Sequence, residues 1–172
     1  MIRPETSADH AAIREVNISA FDGPEEADLI DLLRDDGDVI ASLVAEDAGA
    51  VVGHIMFSPL IVEGPPLLEG TARRILAAAL APVSVRPEWQ REGIGSALVR
   101  RGLDRCRERG VEAVIVLGHA DYYPRFGFSA ALAERLDAPF SGESFMALEL
   151  LPGVLAGTPG CVHYAKAFGL SS

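Results

Sequence analysis

A short apolar strand that runs through a turn into a glycine-bearing loop, and then directly into a helix, constrains this chain more than any other feature. In the segment from Leu80 to Ser96, the residues Gln90, Gly93 and Gly95 have the spacing Gln-x-x-Gly-x-Gly. The first N–H groups of a helix have no partner within the helix and lie at the positive end of its dipole. Glycines there let a ligand approach the backbone closely. The segment therefore predicts a seat for a phosphate or pyrophosphate.

Two other phosphate-binding loops do not fit this segment. The Rossmann fingerprint requires a third glycine three residues after Gly95, where this chain has Leu98, and it belongs to the first strand–helix turn. The P-loop requires a Gly-Lys-Ser/Thr ending, which does not follow here. A dinucleotide-binding protein is therefore disfavoured, whereas a plain tight turn at Gly93-x-Gly95 stays open as the alternative to a phosphate seat.

Length and composition predict one globular domain over residues 1–172. With 172 residues and 49% hydrophobic side chains, the chain can bury a substantial core. The N-terminus lacks the pattern of a signal peptide, and no apolar run approaches the ~20 residues of a membrane span. The two cysteines, Cys106 and Cys161, are too few for a disulfide framework. We therefore expect a cytoplasmic protein with no membrane partner.

Charge is distributed unevenly along the chain. The net charge of −10 argues against a nucleic-acid partner. Residues 1–72 carry 3 basic and 15 acidic side chains, whereas residues 73–125 carry 10 basic and 6 acidic ones. The segment with the glycine loop is thus the basic part of an acidic protein, which suits a polyanionic ligand or simply reflects a solvated helix face.

The pattern of apolar residues predicts a mixed-sheet α/β fold with the order β-α-α-β-β-β-α-β-α-β. Strands are expected at Ile2–Pro4, Val39–Glu46, Ala50–Val62, Arg73–Val85, Ala113–Leu117 and Ser144–Leu150. Helices are expected from a cap at Asp9 to Phe21, at Pro24–Arg34 and at Gly93–Arg109, with a short helix or turn at Asp121–Phe126. The segment from Glu63 to Thr71 is predicted to be a loop, and the Gly/Pro-rich tail from Pro152 to Gly160 to be irregular.

Pro82 interrupts the apolar strand that leads to the glycine loop. A proline removes one hydrogen-bond donor from a sheet, so it is usually confined to edges and bulges. One interpretation is a simple irregularity of the strand. The other is that the strand leaves its parallel neighbour here, so that the backbone groups of Val83 and Val85 are available to a ligand.

A second motif, from Tyr122 to Phe128, reads Tyr-Tyr-Pro-Arg-Phe-Gly-Phe and follows the strand Ala113–Leu117. Together the two motifs resemble the GNAT N-acetyltransferases, strongly over residues 73–130 and more loosely in the flanks. The stretch from Leu117 is similar to a bacterial subgroup of predicted acetyltransferases. The resemblance implies a single GNAT-like α/β domain with a mixed antiparallel/parallel sheet, splayed central strands and flanking helices. It also implies acetyl-CoA as the acyl-donor cosubstrate.

The same resemblance implies roles for individual residues. Tyr123 takes the position of the general acid, which stabilises or protonates the departing thiolate; packing in an aromatic cluster is its alternative role. The Val83, Ser84 and Val85 segment would contact pantetheine and the acetyl carbonyl. The backbone N–H groups that would hold the pyrophosphate are those of Arg91, Glu92, Gly93, Ile94, Gly95 and Ser96, and the Arg91 side chain would add a charge-assisted contact.

Two parts of the family pattern are not readable in this chain. Many members bind pantetheine through an asparagine after the penultimate strand, and no asparagine occurs at 116–121. His119 is either its substitute or a structural residue. The general base is also undefined: Ser84, Glu88 and His119 are candidates, and His54 is a weaker one that fits a core or surface histidine better. The four histidines show no metal-ligand spacing, so no metal is expected.

The sequence therefore predicts an N-acetyltransferase that moves the acetyl group of acetyl-CoA to a primary amine by direct attack in a ternary complex. The acceptor is a small molecule or a peptide, and the acidic first two helices favour a cationic one. A homodimer is compatible with the family. The alternative is a non-catalytic acyl-CoA-binding or regulatory module on the same fold, which would not depend on Tyr123.

Overall fold

The computed structural model describes residues 1–66, 70, 72–155 and 159–170. Its eight strands form one mixed sheet with the order β1-β2-β3-β4-β5-β7, in which β8 pairs with β3 and β6 pairs with β8. The strands are β1 (Ile2–Pro4), β2 (Ala41–Asp47), β3 (Ala50–Pro66), β4 (Ala72–Val85), β5 (Ala113–Leu117), β6 (Leu136–Asp137), β7 (Phe145–Glu149) and β8 (Gly160–Tyr164). The α-helices are α1 (His10–Phe21), α2 (Glu25–Asp35), α3 (Ile94–Glu108) and α4 (Ala130–Ala133). The predicted α/β class with a mixed sheet and flanking helices is confirmed.

The chain divides into two compact units. Unit 1 comprises Met1–Ser58 and Ala81–Cys106, and unit 2 comprises Pro59–Leu80 and Arg107–Ser172. The long strands β3 and β4 contribute to both units, because each changes unit along its length. The prediction of a single domain over residues 1–172 stays a prediction.

Unit 1 is built on an antiparallel hairpin of β2 and β3. The turn has Ala48 and Gly49 at φ of 49° and 82°, the left-handed geometry of tight hairpin turns, as the sequence predicted. Helix α1 buries Ile13 and Val16. Helix α2 buries Ala27, Ile30 and Leu33.

The cap expected from Asp9 takes a different form. Asp9 stands at the N-cap of α1, but its side chain bonds no helix amide. Instead, its carboxylate accepts from the Thr6 N–H at 2.7 Å and pairs with both terminal nitrogens of Arg3 at 2.8 and 3.0 Å. The Arg3 guanidinium is the stronger partner, and it lowers the pKa of Asp9. Asp9 therefore ties the end of β1 to the start of α1.

Unit 2 is built around β5, which pairs with a strand on each side. It is parallel to β4, with Ala77–Ala79 opposite Ala113–Ile115, and antiparallel to β7 along its whole length. The parallel register ends well before β4 reaches Val85. Strands β3 to β8 all contribute residues to one apolar cluster, which includes Ile75, Ile115 and Phe145.

Strand β4 changes phase between its two ends. Leu76 donates its N–H to Glu112 Oε2 at 3.0 Å and accepts from the Glu112 N–H at 2.8 Å. Arg86, directly after the strand, donates its N–H to the carbonyl of Val52 on β3 at 2.9 Å. Leu76 and Arg86 are an even number of residues apart, and in a regular strand the backbone N–H and C=O groups of two such residues point to the same neighbouring strand. The irregularity expected at Pro82, whose preceding peptide bond is cis, therefore lies within this strand.

Two expectations about loops are wrong. The loop predicted from Glu63 to Thr71 is partly strand, because β3 continues to Pro66 and β4 already begins at Ala72; residues 67–69 and 71 lie outside the described residues. The tail predicted to be irregular overlaps β8, which begins at the last residue of that tail, Gly160, in a stretch where the sequence predicts no strand. Pairing with β3 explains the second error, since a partner strand can extend a segment whose own composition favours a loop.

Two short elements of unit 2 have no counterpart in the prediction. Helix α4 is a single turn, capped by Ser129, whose Oγ accepts from the Leu132 N–H at 3.2 Å. The two-residue strand β6 pairs with β8. The predicted short helix or turn at Asp121–Phe126 is confirmed as a 3₁₀ turn over Tyr123–Phe126.

Candidate active site

The first turn of α3 begins directly after the glycine loop. The carbonyl of Gly93 accepts from the Ala97 N–H at 3.0 Å, so Gly93 stands at the N-cap. The amides of Ile94 and Gly95 come before this bond and have no acceptor within the helix. Gly93 has a φ of 84°, a conformation that glycine adopts at little cost. Backbone donors at the positive end of a helix dipole have the geometry that anion-binding sites use, so the predicted anion seat at this turn of unit 1 stays a prediction.

Gln90 ties the glycine loop to the end of β4. Its side-chain Nε2 donates to the carbonyl of Val85 at 3.0 Å. Gln90 belongs to the motif that the sequence shows, but this contact was not predicted. The signal was available in its spacing, because an amide side chain five residues after a strand carbonyl can close the intervening turn.

Arg91 holds the loop in an unusual backbone conformation. Its φ is 67°, in the left-handed region that non-glycine residues rarely occupy. Its side chain is exposed, as are those of Glu88 and Glu92 on the same loop. The loop therefore presents one guanidinium and two carboxylates to solvent next to the start of α3.

The last residues of β4 direct alternate backbone groups to opposite edges. Because Arg86 donates toward β3, the N–H and C=O groups of Val83 and Val85 point away from that strand. Ser84, between them, is buried at 3% exposure, and its hydroxyl oxygen has no hydrogen-bond partner among the residues that the structure describes. In unit 1, Val83 and Val85 thus direct backbone groups to the side of β4 that faces away from β3, where the Val85 carbonyl accepts from Gln90 Nε2.

Tyr123 is buried in unit 2 within an aromatic cluster. Its ring makes edge-on contacts with Tyr122 and Phe128 at centroid distances of 5.1 and 5.7 Å. Burial raises the pKa of Tyr123 to about 12, and the neighbouring Tyr122 adds to the shift. The phenol is consequently protonated at neutral pH and can donate a proton but not accept one.

Gly118 makes room for the Tyr123 ring. A Cβ on Gly118 would lie 2.4 Å from Tyr123 Cε2, far inside van der Waals contact. The amide of Tyr123 also donates to the carbonyl of His119 at 3.3 Å. Neither contact was foreseen, although a glycine between a strand and a tyrosine-bearing turn is a signal of close packing.

His119 is exposed and lines an open cleft of about 690 Å³ in unit 2. The cleft is lined by Leu117, Gly118, His119, Ala120, Asp121, Glu143 and Ser144. It contains no asparagine, so the departure from the family pattern seen in the sequence holds at this cleft. The structure thus places Glu88 and residues 83–85 and 91–96 in unit 1, and His119 and Tyr123 in unit 2.

His54 lies fully buried in unit 1, remote from solvent. Its Nε2 lies 2.8 Å from Ser42 Oγ, and its Nδ1 lies 3.5 Å from Asn17 Nδ2. Since the Asn17 amide nitrogen can only donate, Nδ1 is the acceptor and Nε2 carries the proton. The structure therefore gives His54 the place of a hydrogen-bonded core histidine.

The described residues contain neither a candidate metal site nor a membrane-spanning helix. Within those ranges no group of three or more His, Cys, Asp or Glu side chains is placed to hold a metal ion. No helix of the described chain is long and apolar enough to cross a membrane.

Comparison with known sequences identifies relatives along most of the chain. A family model described as an acetyltransferase (GNAT) domain matches residues 1–131. The uncharacterized N-acetyltransferase YhbS of Escherichia coli is 33% identical over 171 residues, covering 98% of both chains. The uncharacterized N-acetyltransferase YjhQ of Escherichia coli is 38% identical over 133 residues, covering 74% of this chain and 68% of that protein.

Two solved structures are similar over nearly the whole length. The crystal structure of YhbS from Escherichia coli in complex with CoA has a TM-score of 0.86 and 32% identity, and the match covers 100% of this chain and 93% of that one. A GNAT family acetyltransferase from Brucella melitensis in complex with acetyl-CoA has a TM-score of 0.78 and 36% identity, covering 98% of this chain and 97% of that one.

Proposed function

The chain belongs to the GNAT family of N-acetyltransferases, and from that premise we propose that it transfers the acetyl group of acetyl-CoA to a cationic primary amine. The observation that carries the proposal is the first turn of α3, whose leading amides follow a loop tied back to β4 by Gln90. The relatives from Escherichia coli and Brucella melitensis were crystallised with CoA and acetyl-CoA. Acetyl-CoA is therefore the cosubstrate of this enzyme.

The proposed cofactor site uses backbone groups more than side chains. The pyrophosphate would accept from the amides of Arg91 to Ser96, and the Arg91 guanidinium would add a charge-assisted bond. Glu92, in the same loop, contributes its backbone rather than its carboxylate, which would repel a phosphate. Pantetheine would pair with the backbone of Val83 and Val85, a role supported by the direction of their N–H and C=O groups away from β3, although the Val85 carbonyl also accepts from Gln90 Nε2.

The proposed reaction is a direct transfer in a ternary complex. The amine nitrogen attacks the thioester carbonyl carbon, a C–N bond forms, and the C–S bond breaks with its electron pair going to sulfur. Tyr123 Oη, which is protonated at neutral pH, stabilises this thiolate by a hydrogen bond or donates its proton to it. Where the proton is transferred, the tyrosinate then recovers one from solvent.

The acceptor must lose a proton from nitrogen before or during the attack. Of the three candidate bases, Ser84 is buried, whereas Glu88 and His119 are exposed. We propose that one of these two exposed groups takes the proton. Replacing Glu88 by Gln and His119 by Gln in separate variants assigns the base, since removing it lowers kcat and changes the acidic limb of the pH–rate profile.

A cationic acceptor is supported by the acidic surface of α1 and α2. Arg14 neutralises only part of it, by pairing with Asp28 at 2.9 Å and Asp31 at 3.0 Å. The first turn of α2 alone carries Glu25, Glu26 and Asp28. A field of this sign raises the local concentration of cations. We also propose that the protein is located in the cytoplasm and that it forms a homodimer.

Thermal unfolding of the purified protein with acetyl-CoA, with NAD as the control, tests the cofactor assignment. A ligand at ~100 times its dissociation constant adds about 2.7 kcal/mol, which corresponds to a rise in Tm of about 5–10 °C for a chain of this size. A rise with acetyl-CoA alone supports the proposal and justifies a screen of amines. A folded protein that does not respond would refute it, and binding without turnover of any amine would favour the non-catalytic module.

A further inference from the structure

Gly53 is the point at which β3 meets both the end of β4 and the first turn of α3. A Cβ on Gly53 would lie 3.1 Å from Leu98 Cδ1, 3.2 Å from Ile94 Cγ2 and 3.2 Å from the backbone oxygen of Ser84. Non-bonded carbon atoms prefer separations of about 3.5–4.0 Å. One added methyl group would therefore press on the helix and the strand together.

The two strands cannot absorb this pressure. Arg86 clamps β4 onto β3 beside Gly53, because its N–H donates to Val52 O at 2.9 Å and its Nε to Val51 O at 3.0 Å. Leu98 is fully buried, so its side chain has no open space to enter. Ile94 is only half-buried, at the helix end that borders the exposed glycine loop. The first turn of α3 is the part that would have to move.

We propose that Gly53 is a positioning residue for the cofactor. Its missing side chain lets the first turn of α3 lie close against β3, and this closeness fixes where the amides of Ile94 and Gly95 point. Hydrogen bonds weaken steeply when their donors are misdirected, so a small displacement of the turn lowers the affinity for a pyrophosphate. The inference rests on the proposed function, because it requires acetyl-CoA to bind this turn.

The test is Gly53→Ala, with binding measured by calorimetric titration at a temperature at which all variants are folded. Two ligands are compared: acetyl-CoA, and 3′-phospho-ADP, which carries the pyrophosphate but no pantetheine. Both dissociation constants should rise about tenfold, the effect of impairing one charge-assisted hydrogen bond. Unchanged affinity for either ligand would overturn the assignment to α3, since acetyl-CoA alone would be weakened if only β4 had moved.

Gly102→Ala on the same helix is the matched control. A Cβ there would lie 2.3 Å from Phe57 Cε2, so this variant should lose more stability than Gly53→Ala. Gly102 lies two helical turns beyond Ile94. The helix can therefore tilt away from Phe57 at Gly102 while its first turn stays in place against β3. The affinity of the Gly102→Ala variant for both ligands should stay within twofold of the wild-type value. Equal weakening in both variants would mean that any strain on α3 impairs binding, and the role of Gly53 would fall.

Leu98→Val provides a relief variant. It removes the Cδ1 atom that a Cβ at position 53 would meet first. Adding Gly53→Ala to this background should raise both dissociation constants by less than it does in the wild type, though still measurably, because the contacts to Ile94 and Ser84 remain. This pair also serves if Gly53→Ala alone does not fold. An equal rise in both backgrounds would refute the steric route. If the wild type itself does not bind acetyl-CoA, the proposed function has failed instead.

Discussion

The backbone of Arg91 combines a strained conformation with a charge placed at the start of α3. A non-glycine residue at φ of 67° costs about 1–2 kcal/mol relative to glycine. Strain of this kind persists where the surrounding structure and a functional demand maintain it. We predict that Arg91→Gly weakens acetyl-CoA binding about tenfold through loss of a charge-assisted bond, as measured by calorimetric titration.

The comparison variant is Arg91→Ala, which removes the same charge but keeps the left-handed backbone. Its affinity should fall as far as that of Arg91→Gly, while its Tm without ligand should be lower, because only glycine relieves the strain. Equal Tm values would show that the loop relaxes around residue 91. Wild-type affinity in both variants would exclude the guanidinium from the site.

Tyr123 is the residue on which catalysis, as opposed to binding, depends. Replacing it with Phe keeps the ring that packs against Gly118 and Phe128 but removes the only proton it can donate. We predict that kcat falls about 10²- to 10⁴-fold, the usual contribution of a general acid, while the dissociation constant of acetyl-CoA stays within about twofold. Steady-state kinetics and calorimetric titration measure the two quantities.

Tyr122→Phe is the matched control for this prediction. Tyr122 lies next to Tyr123, and the Arg125 guanidinium stacks over its ring at 4.5 Å, a contact that phenylalanine retains. Its kcat should stay close to the wild-type value. A Tyr123→Phe enzyme that is as active as the Tyr122→Phe enzyme would remove the general acid from the mechanism and leave Tyr123 with a packing role.

At the scale of elements, a buried polar network joins α1, α2, β2 and β3 to the residue that follows β1. Its members are Glu5, Asn17, Arg34, Ser42 and His54, with His10 at its surface end, where its Nε2 lies 2.9 Å from Glu5. Burial lowers the pKa of His54 despite the neighbouring Glu5. Burial acts to raise the pKa of Glu5, but hydrogen bonding to His54, Arg34 and Ser42 outweighs it and lowers that pKa to about 2.

Both shifts make the fold less stable in acid. Because the folded state disfavours protonated His54, the unfolded chain takes up the proton first as the pH falls below about 6.5. We predict that the free energy of unfolding decreases between about pH 6.5 and 5, and that Glu5 extends the loss toward pH 2. His54→Gln should lower stability at pH 7 yet flatten the upper part of this dependence, as measured by chemical denaturation at each pH.

The variant His119→Gln is the control for this experiment. It should leave both the stability and its pH dependence as in the wild type, because its side chain is solvated in the folded chain. If His54→Gln keeps the wild-type slope between pH 6.5 and 5, His54 is not the group that couples the fold to protons there.

The elements that the sequence predicted well are those whose signal is local. The hairpin turn at Ala48-Gly49 and the helix stop at Gly110 depend on backbone conformations that particular residue types adopt. Strand β8 was missed because its formation depends on pairing with β3, about a hundred residues earlier in the chain. Gly160 shows the same dependence, since a Cβ there would lie 2.6 Å from Val62 Cγ1.

In the candidate site, too, the features with a local signal were predicted and those that depend on distant residues were not. The motif Gln90-x-x-Gly93-x-Gly95 predicted the start of α3 after a glycine loop, because helix starts and glycine conformations follow from consecutive residues, whereas the anion seat there stays a prediction. The tasks of Gly53 and Gly118 could not be read, because the side chains they make room for come from other elements. The general base is likewise undefined by sequence, since a base is selected by its position and not by its residue type.

At the scale of the whole molecule, the separation of charge along the chain bears on which acceptor the enzyme takes. Residues 1–72 carry a net charge of −12, from 3 basic and 15 acidic side chains, and they include both α1 and α2. A surface of this sign attracts cations over a range set by the Debye length, about 10 Å at 0.1 M salt. A positively charged acceptor therefore gains in encounter rate, whereas a zwitterionic or acidic one does not.

We predict that an amino acid amide, which is a cation, has a higher kcat/KM than the same amino acid with a free carboxylate. The ratio between the two should shrink about severalfold from 0.05 M to 0.5 M salt, because screening removes the attraction. Initial rates at saturating acetyl-CoA measure it, and saturation keeps the salt dependence of cofactor binding out of the comparison. Preferential turnover of acidic amines, or a ratio independent of salt, would show that the acidic helices are only a solvated surface and that contacts at the site select the acceptor.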